Sequence, residues 1–127
     1  MKIVLILIIA FAGLQAVVRF WPLPDTPRSV AVMAIGASEL ISFGGYYARS
    51  ADVSFSELQD QISATPRVKI IKDDQNMVAV YRSWFWGFPD VIEMWEDKGV
   101  VHISGHSVIG SWDMGSNKKR IQKWLDN

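Results

Sequence analysis

The sequence contains no cysteine among its 127 residues. Disulfide bonds, thiolate catalysis and cysteine-ligated zinc are therefore excluded. An excess of either charge is also missing, because 13 Lys and Arg residues balance 13 Asp and Glu residues. This balance gives no electrostatic indication of nucleic-acid binding and no polybasic patch for a membrane surface. We predict no nucleic-acid partner.

An uncharged apolar run, Ile3–Val18, is the first strong feature that is present. A membrane-spanning helix needs about 20 residues, within a range of about 17–25, and aromatic residues often follow it at the interface. We predict a transmembrane anchor over residues 1–21, with the lipid bilayer contacted from Ile3 to Trp21. The alternative is a cleaved signal peptide with its small-residue site at Ala10-Phe11-Ala12.

The charges that flank the apolar run bear on its orientation. Lys2 favours a cytoplasmic N-terminus under the positive-inside rule, whereas Arg19 and Arg28 oppose that orientation. A very short tail before the run is the common layout of a signal anchor. We predict a single-pass protein of the bacterial inner membrane whose domain lies on the periplasmic side.

Residues 22–53 are predicted to form a proline-rich linker and an irregular apolar segment. The prolines predict an extended, semi-rigid chain. Within this stretch, Ser29–Ala48 is apolar and long enough to suggest a second membrane span. Glu39 near its middle and the Gly44-Gly45 pair argue against that alternative, because a carboxylate at mid-bilayer is costly.

Residues 54–127 have the pattern of an α+β domain. Ser54 and Glu57 form a capping-box pattern before a helix that Pro66 ends. Four strands separated by turn residues are then predicted, over Arg67–Lys72, Met77–Trp86, Val91–Trp95 and Val100–Ser104. A last helix is predicted over Ser116–Asp126. The short connections predict a four-stranded antiparallel sheet with two helices packed on one face.

Polar residues among large apolar neighbours are the candidates for a site. Arg82 falls within a predicted strand, where a buried guanidinium needs a carboxylate, and either Asp90 or Asp113 could supply it. A structural pair that fixes the corner is favoured over an arginine-lined anion pocket. Asp113 or Ser116 could also cap the last helix. The predicted polar cluster, or pocket, consists of Arg82, Ser83, Asp90, Asp113, Asn117 and Arg120.

No catalytic, cofactor or metal site is predicted. His102 and His106 share one face of a predicted strand, and two His without a third ligand make a poor metal site. The serines beside them lack the frame of a nucleophile elbow. A hydrolase built from Ser107, His106 and Asp113 is therefore the weakest hypothesis, and we predict that the protein is not an enzyme.

The run Trp84-Phe85-Trp86 predicts an interaction surface. On a strand, the two Trp side chains would point to one face of the sheet and Phe85 to the other, so both faces would be apolar. One face can be core, whereas the other must meet a helix, lipid or another protein. The predicted partner surface consists of Trp21, Trp84, Phe85, Trp86 and Phe88.

The order and spacing of several motifs resemble the domain-of-unknown-function 1499 family, in the style of its alphaproteobacterial members. The matching residues are Tyr81-Arg82-Ser83, Gly87-Phe88-Pro89-Asp90, Gly110, Asp113, Gly115, Asn117, Arg120, Trp124 and Leu125. The resemblance covers about Ser54–Leu125, and it implies a small protein with a single span or a signal sequence and with no established activity. Basic residues that often precede the closing motif of that family are replaced here by Ser104 and Val108, which implies a weaker anion site.

These observations lead to three hypotheses of function. The first is a non-catalytic accessory or assembly subunit of a larger inner-membrane complex, such as an energy-transducing one, that binds other subunits through its apolar, Trp-rich surface. The second is a small-ligand or lipid-binding domain with an Arg-lined pocket. The third is the hydrolase described above.

Overall fold

The computed structural model describes residues 1–23, 38–42, 44–110 and 113–127. The fold is α+β, as predicted. In chain order the helices and strands are α1 (Lys2–Arg19), β1 (Glu39–Ser42), β2 (Gly45–Ser50), α2 (Phe55–Ser63), β3 (Val68–Asp73), β4 (Asn76–Arg82), β5 (Pro89–Asp97), β6 (Val100–Ser107) and α3 (Ser116–Leu125). Three helices are therefore present in the described chain: the apolar α1 and the two that were predicted for the domain.

The sheet has six strands in the order β1-β2-β6-β5-β4-β3, and every neighbouring pair is antiparallel. The prediction of four strands is wrong. The two additional strands, β1 and β2, lie inside the stretch that the sequence assigned to a linker and an irregular segment. Gly44 has a φ of 82°, which lets the chain turn tightly between them.

The second-span alternative does not hold where the structure describes that segment. Residues 39–42 and 45–48 are strands rather than parts of a helix. Tyr47 pairs with Ser104 of β6, so this hairpin completes the sheet of the domain. The other residues of Ser29–Ala48, together with most of the proline-rich linker, lie outside the described residues.

One face of the sheet, called here the helix face, carries α2 and α3, as predicted. Strand alternation turns Met77, Ile92 and Ile103 towards this face, where they are fully buried. The helices add Leu58, Ile62, Ile121 and Trp124 to the same core. Trp124 Nε1 donates a hydrogen bond of 2.9 Å to Thr65 Oγ1, which joins the end of α3 to the end of α2.

The opposite face of the sheet, called here the second face, is also largely buried. Tyr47, Val80, Val91 and Ser104 alternate with the core residues and are hidden from solvent. His102 lies on this face, stacked on Trp95 with a ring separation of 5.2 Å, and its Nδ1 lies 2.7 Å from Tyr47 Oη. Burial lowers the pKa of His102.

The corner after β4 differs from the prediction. The strand ends at Arg82, so residues 83–88 form a turn, and Trp84-Phe85-Trp86 do not alternate across a sheet. The Gly87 amide donates to the Ser83 carbonyl at 3.0 Å, and the Phe88 amide donates to Ser83 Oγ at 2.9 Å. A φ of 74° at Gly87 allows the chain to close this turn and re-enter the sheet as β5.

The predicted capping box of α2 is confirmed. Ser54 Oγ accepts from the Glu57 amide at 3.3 Å, and the Ser54 amide donates to Glu57 Oε2 at 3.1 Å. Two amides that would otherwise lack partners in the first turn are thus satisfied, which fixes where the helix begins.

We expect Ser54→Ala to lower the free energy of unfolding of the full-length protein by about 0.5–2 kcal/mol, because an alanine leaves the cap unmade. Urea unfolding in detergent micelles, followed by Trp fluorescence, measures this loss. Ser56→Ala, two residues further along the chain and also exposed, serves as the matched control. Equal stability of the two variants would contradict the capping role.

Candidate functional site

The motif residues meet at the end of the sheet in a buried ion pair between Asp90 and Arg120. Arg120 Nη2 lies 3.2 Å from Asp90 Oδ2, and the two side chains are only 12% and 9% exposed. Ser107 Oγ donates to the other carboxylate oxygen at 2.9 Å. Burial raises the pKa of Asp90, and Arg120 and Ser107 counter that rise. The pair ties the start of β5 to the middle of α3.

The Arg120 guanidinium also lies on an aromatic ring. Its central carbon is 3.6 Å from the centre of the Tyr81 ring, and Nη1 donates to Asn117 Oδ1 at 3.0 Å. The Arg67 guanidinium lies over the same ring at 5.5 Å and donates to Tyr81 Oη at 3.2 Å. Cation–π contact and hydrogen bonding thus hold Arg120 in one orientation.

Asp113 completes this network at the start of α3. It accepts from the Gly115 amide at 2.9 Å, from the Asn117 amide at 3.0 Å and from Asn117 Nδ2 at 2.8 Å. Burial alone would raise the pKa of Asp113, but these hydrogen bonds outweigh it and hold the pKa below its ordinary value. The N-cap residue of α3 is Gly115, and the Asp113 carboxylate, one of the two candidates that the sequence suggested, satisfies the Asn117 amide in the first turn. Ser111 and Trp112 lie outside the described residues.

Gly105 is a residue of this site that the sequence analysis missed. A Cβ added there would lie 2.6 Å from Asn117 Oδ1, closer than atoms can approach. The strand must therefore carry glycine at this position for α3 to approach β6. A glycine inside a strand pattern indicates such a close approach, so the sequence does contain a signal for this residue.

Arg82 does not join the network, so the predicted pairing of Arg82 with Asp90 or Asp113 is wrong. Tyr81 is the residue that lies opposite Asp90 in the register, and strand alternation turns Arg82 to the second face. There Arg82 Nη1 donates to the Gly87 carbonyl at 3.1 Å. Arg82 and Ser83 therefore hold the corner, while the remaining four predicted residues share the network.

The three groups of the hydrolase hypothesis are not brought together. Ser107 Oγ bonds Asp90 on the helix face, whereas its neighbour His106 points to the second face. Asp113 is engaged by the amides at the start of α3. Within the described residues, no group of three or more His, Asp or Glu side chains is arranged to hold a metal ion.

The corner carries an exposed aromatic cluster, called here the aromatic corner and formed by Trp84, Phe85, Trp86 and Phe88. Trp84 is 75% exposed and Phe85 48%. The ring of Phe11 in α1 lies 6.0 Å from that of Phe85 and 5.5 Å from that of Trp86. Gln15 Nε2 donates to the Phe85 carbonyl at 3.0 Å. The aromatic corner thus lies beside one stripe of α1.

Residues 21–127 match the family described as a protein of unknown function, DUF1499. The chain belongs to this family. The resemblance drawn from the motifs is thereby confirmed, and the match extends further towards the N-terminus than those motifs do. No curated protein and no solved structure matches the chain. In this DUF1499 chain four of the motif residues, Asp90, Asp113, Asn117 and Arg120, form one network of hydrogen bonds.

A second missed feature of this DUF1499 chain is a buried polar pair on the second face. Glu93 lies opposite Ser104 in the register of β5 and β6. Glu93 Oε2 and Ser104 Oγ are both buried, and neither atom forms a hydrogen bond within the described part of the chain. Burial raises the pKa of Glu93 above its ordinary value of 4.5. Ionisation of this carboxyl group therefore destabilises the folded state.

We expect Arg120→Met to lower the free energy of unfolding by about 3–5 kcal/mol, because Asp90 would be left buried without a counter-charge. Urea unfolding of the full-length chain in detergent micelles measures the loss. Lys119→Met, at an exposed position one residue away, is the control. Asp90→Asn combined with Arg120→Met should lose less than the sum of the single losses, and strict additivity would refute the pairing.

We expect Glu93→Gln to make the protein more stable than the wild type at neutral pH. The folded pKa of Glu93 is raised, so the wild type is most stable when the carboxyl is protonated and loses stability as pH rises above about 4.5. Glutamine cannot ionise, so the advantage of the variant should grow with pH and then level off.

Unfolding midpoints measured from about pH 4 to about pH 8 test this expectation. Glu96→Gln, an exposed position on the same strand, controls for the change in net charge. A difference between Glu93→Gln and wild type that is constant across the range would contradict it.

Proposed function

We propose that this protein is a single-pass protein of the bacterial inner membrane, anchored by α1, with its domain on the periplasmic side. In the described chain, α1 is the helix that is long and apolar enough to cross a membrane, a test that a signal sequence also passes. Retention of the helix is supported by Phe11, which lies within the candidate cleavage site and packs on Phe85 and Trp86. Lys2 favours a cytoplasmic N-terminus.

The position of the aromatic corner along α1 supports a role within the plane of the membrane. Phe11 lies about 12 Å along the helix axis from Arg19, at a rise of about 1.5 Å per residue. If α1 crosses the bilayer, Phe85 and Trp86 lie deeper in the membrane than the Arg19 end of the helix does. The exposed surface beside these two residues, chiefly Trp84, then contacts other membrane components.

We infer a non-catalytic accessory or assembly role in a larger inner-membrane complex, such as an energy-transducing one. The single observation that carries it is the continuous apolar surface that α1 forms with Trp84 and Phe85, which are exposed although they are large and aromatic. An apolar transmembrane segment of another subunit fits this surface. The non-catalytic part of the proposal is supported by the motif network, whose polar groups are engaged in fixing α3.

An anchored chain needs only a small interface. Confinement to the membrane raises the effective concentration of the domain near its partner, so a few aromatic contacts suffice for stable association. Trp is also among the residue types that are enriched at the few positions that dominate binding energy at protein interfaces.

We expect the combined change Trp84→Ser and Phe85→Ser to release the protein from its complex. The measurement is native electrophoresis of mild-detergent extracts, with subunits in each band identified and counted by mass spectrometry. The wild type should run with a fixed set of subunits in constant ratio, and the variant should run as a free monomer. Met114→Ser, also exposed and large but on the opposite side of the sheet, is the control.

A wild type that runs as a free monomer in mild detergent would overturn the accessory role. So would a double variant that stays in the complex as fully as the Met114→Ser control does.

A further inference from the structure

A basic groove lies on the second face, where the end of α1 meets β3 and β4. Its volume is about 670 Å³. Of the lining residues that the structure describes, only Arg67, at the edge of the groove, also contacts the motif network on the helix face, through Tyr81. The lining residues are Arg19, Phe20, Leu23, Arg67, Lys69, Ile70, Ile71, Val80 and Arg82.

Four cations converge on this groove from three parts of the chain. Arg19 comes from the end of α1, Arg67 and Lys69 from the edge strand and the turn before it, and Arg82 from the end of β4. None of the described lining residues is acidic. Like charges gathered in this way repel one another, and a bound anion relieves that repulsion.

One of these cations is already oriented in the groove. Arg82 donates one hydrogen bond to the Gly87 carbonyl, whereas the Arg67 guanidinium is turned to the Tyr81 ring and donates to Tyr81 Oη. A guanidinium carries five N–H donors, so Arg82 has several left to offer an anion. Guanidinium groups bind phosphate oxygens in pairs, and the shorter Lys69 adds a mobile charge at the exposed rim.

The apolar lining of the groove sets the class of anion. Phe20, Leu23 and Ile71 lie among the cations, and Phe20 directly follows the apolar helix. If α1 crosses the bilayer, this end of the helix lies at the depth of the lipid headgroups, where basic residues meet anionic lipids. A ligand that is both phosphorylated and attached to acyl chains would use both parts of the lining.

We propose that the groove binds the phosphate of an anionic membrane phospholipid, with Arg19, Lys69 and Arg82 as its main contacts. The site requires the anchored state of the chain but is independent of any protein complex. A soluble phosphate compound shares the headgroup chemistry, so the two sources need separate measurements.

The test is native mass spectrometry of the full-length protein in detergent, titrated with phosphatidylglycerol or with phosphatidylcholine. The wild type should retain phosphatidylglycerol in preference to phosphatidylcholine. Lys69→Gln, at an exposed position, should weaken retention about fivefold, and the combination with Arg19→Gln should weaken it about 25-fold. Lys119→Gln, an exposed lysine on the helix face, is the matched control and should retain the lipid as the wild type does.

Competition with inorganic phosphate distinguishes the two sources. Phosphatidylglycerol that stays bound in a large excess of inorganic phosphate supports the lipid assignment. Displacement by inorganic phosphate at a concentration similar to that of the lipid would overturn it and assign a soluble phosphate compound. Equal retention of the two lipids, or equal losses in Lys69→Gln and Lys119→Gln, would overturn the site altogether.

Discussion

The buried ion pair between Asp90 and Arg120 is the contact on which the arrangement of the domain depends. It joins the beginning of β5 to α3, two elements that lie 30 residues apart in the chain. A lone buried charge is costly, so alternative positions of α3 that separate the two groups are strongly disfavoured. Asn117 and Asp113 extend the pair by hydrogen bonds, which fixes the rotation of α3 as well as its distance from the sheet.

The two faces of the sheet have different surroundings. The helix face is covered by α2, α3 and the motif network, in which Asp90, Asp113, Asn117 and Arg120 bond to one another or to the backbone. The second face meets the end of α1, and there the aromatic corner and the basic groove lie side by side. Surfaces with unused apolar area and unused hydrogen-bond donors are the ones that can contact other molecules. The proposed roles of this protein therefore concern the second face and the anchor.

Much of the local structure could be predicted because it depends on near neighbours. The apolar run predicted α1, and the pairing of Ser54 with Glu57 predicted where α2 begins. The hairpin of β1 and β2 was missed because its two short strands carry no clear alternation of polar and apolar residues, and they form by pairing β2 with β6 and β1 with β2. The extent of β4 was overestimated because Trp84-Phe85-Trp86 has high strand propensity, whereas the turn that Gly87 closes removes those residues from the sheet.

The sequence by itself determined the apolar helix, the capped α2, the strands β3 to β6 and the family. These features follow from periodicity, turn residues and motif spacing, all of which act over a few residues. Only the tertiary structure decided that Arg120 rather than Arg82 pairs with Asp90, since the choice depends on which face of β4 each side chain occupies. It also assembled a basic groove from a chain with no net charge, because folding brings together cations that are far apart in sequence.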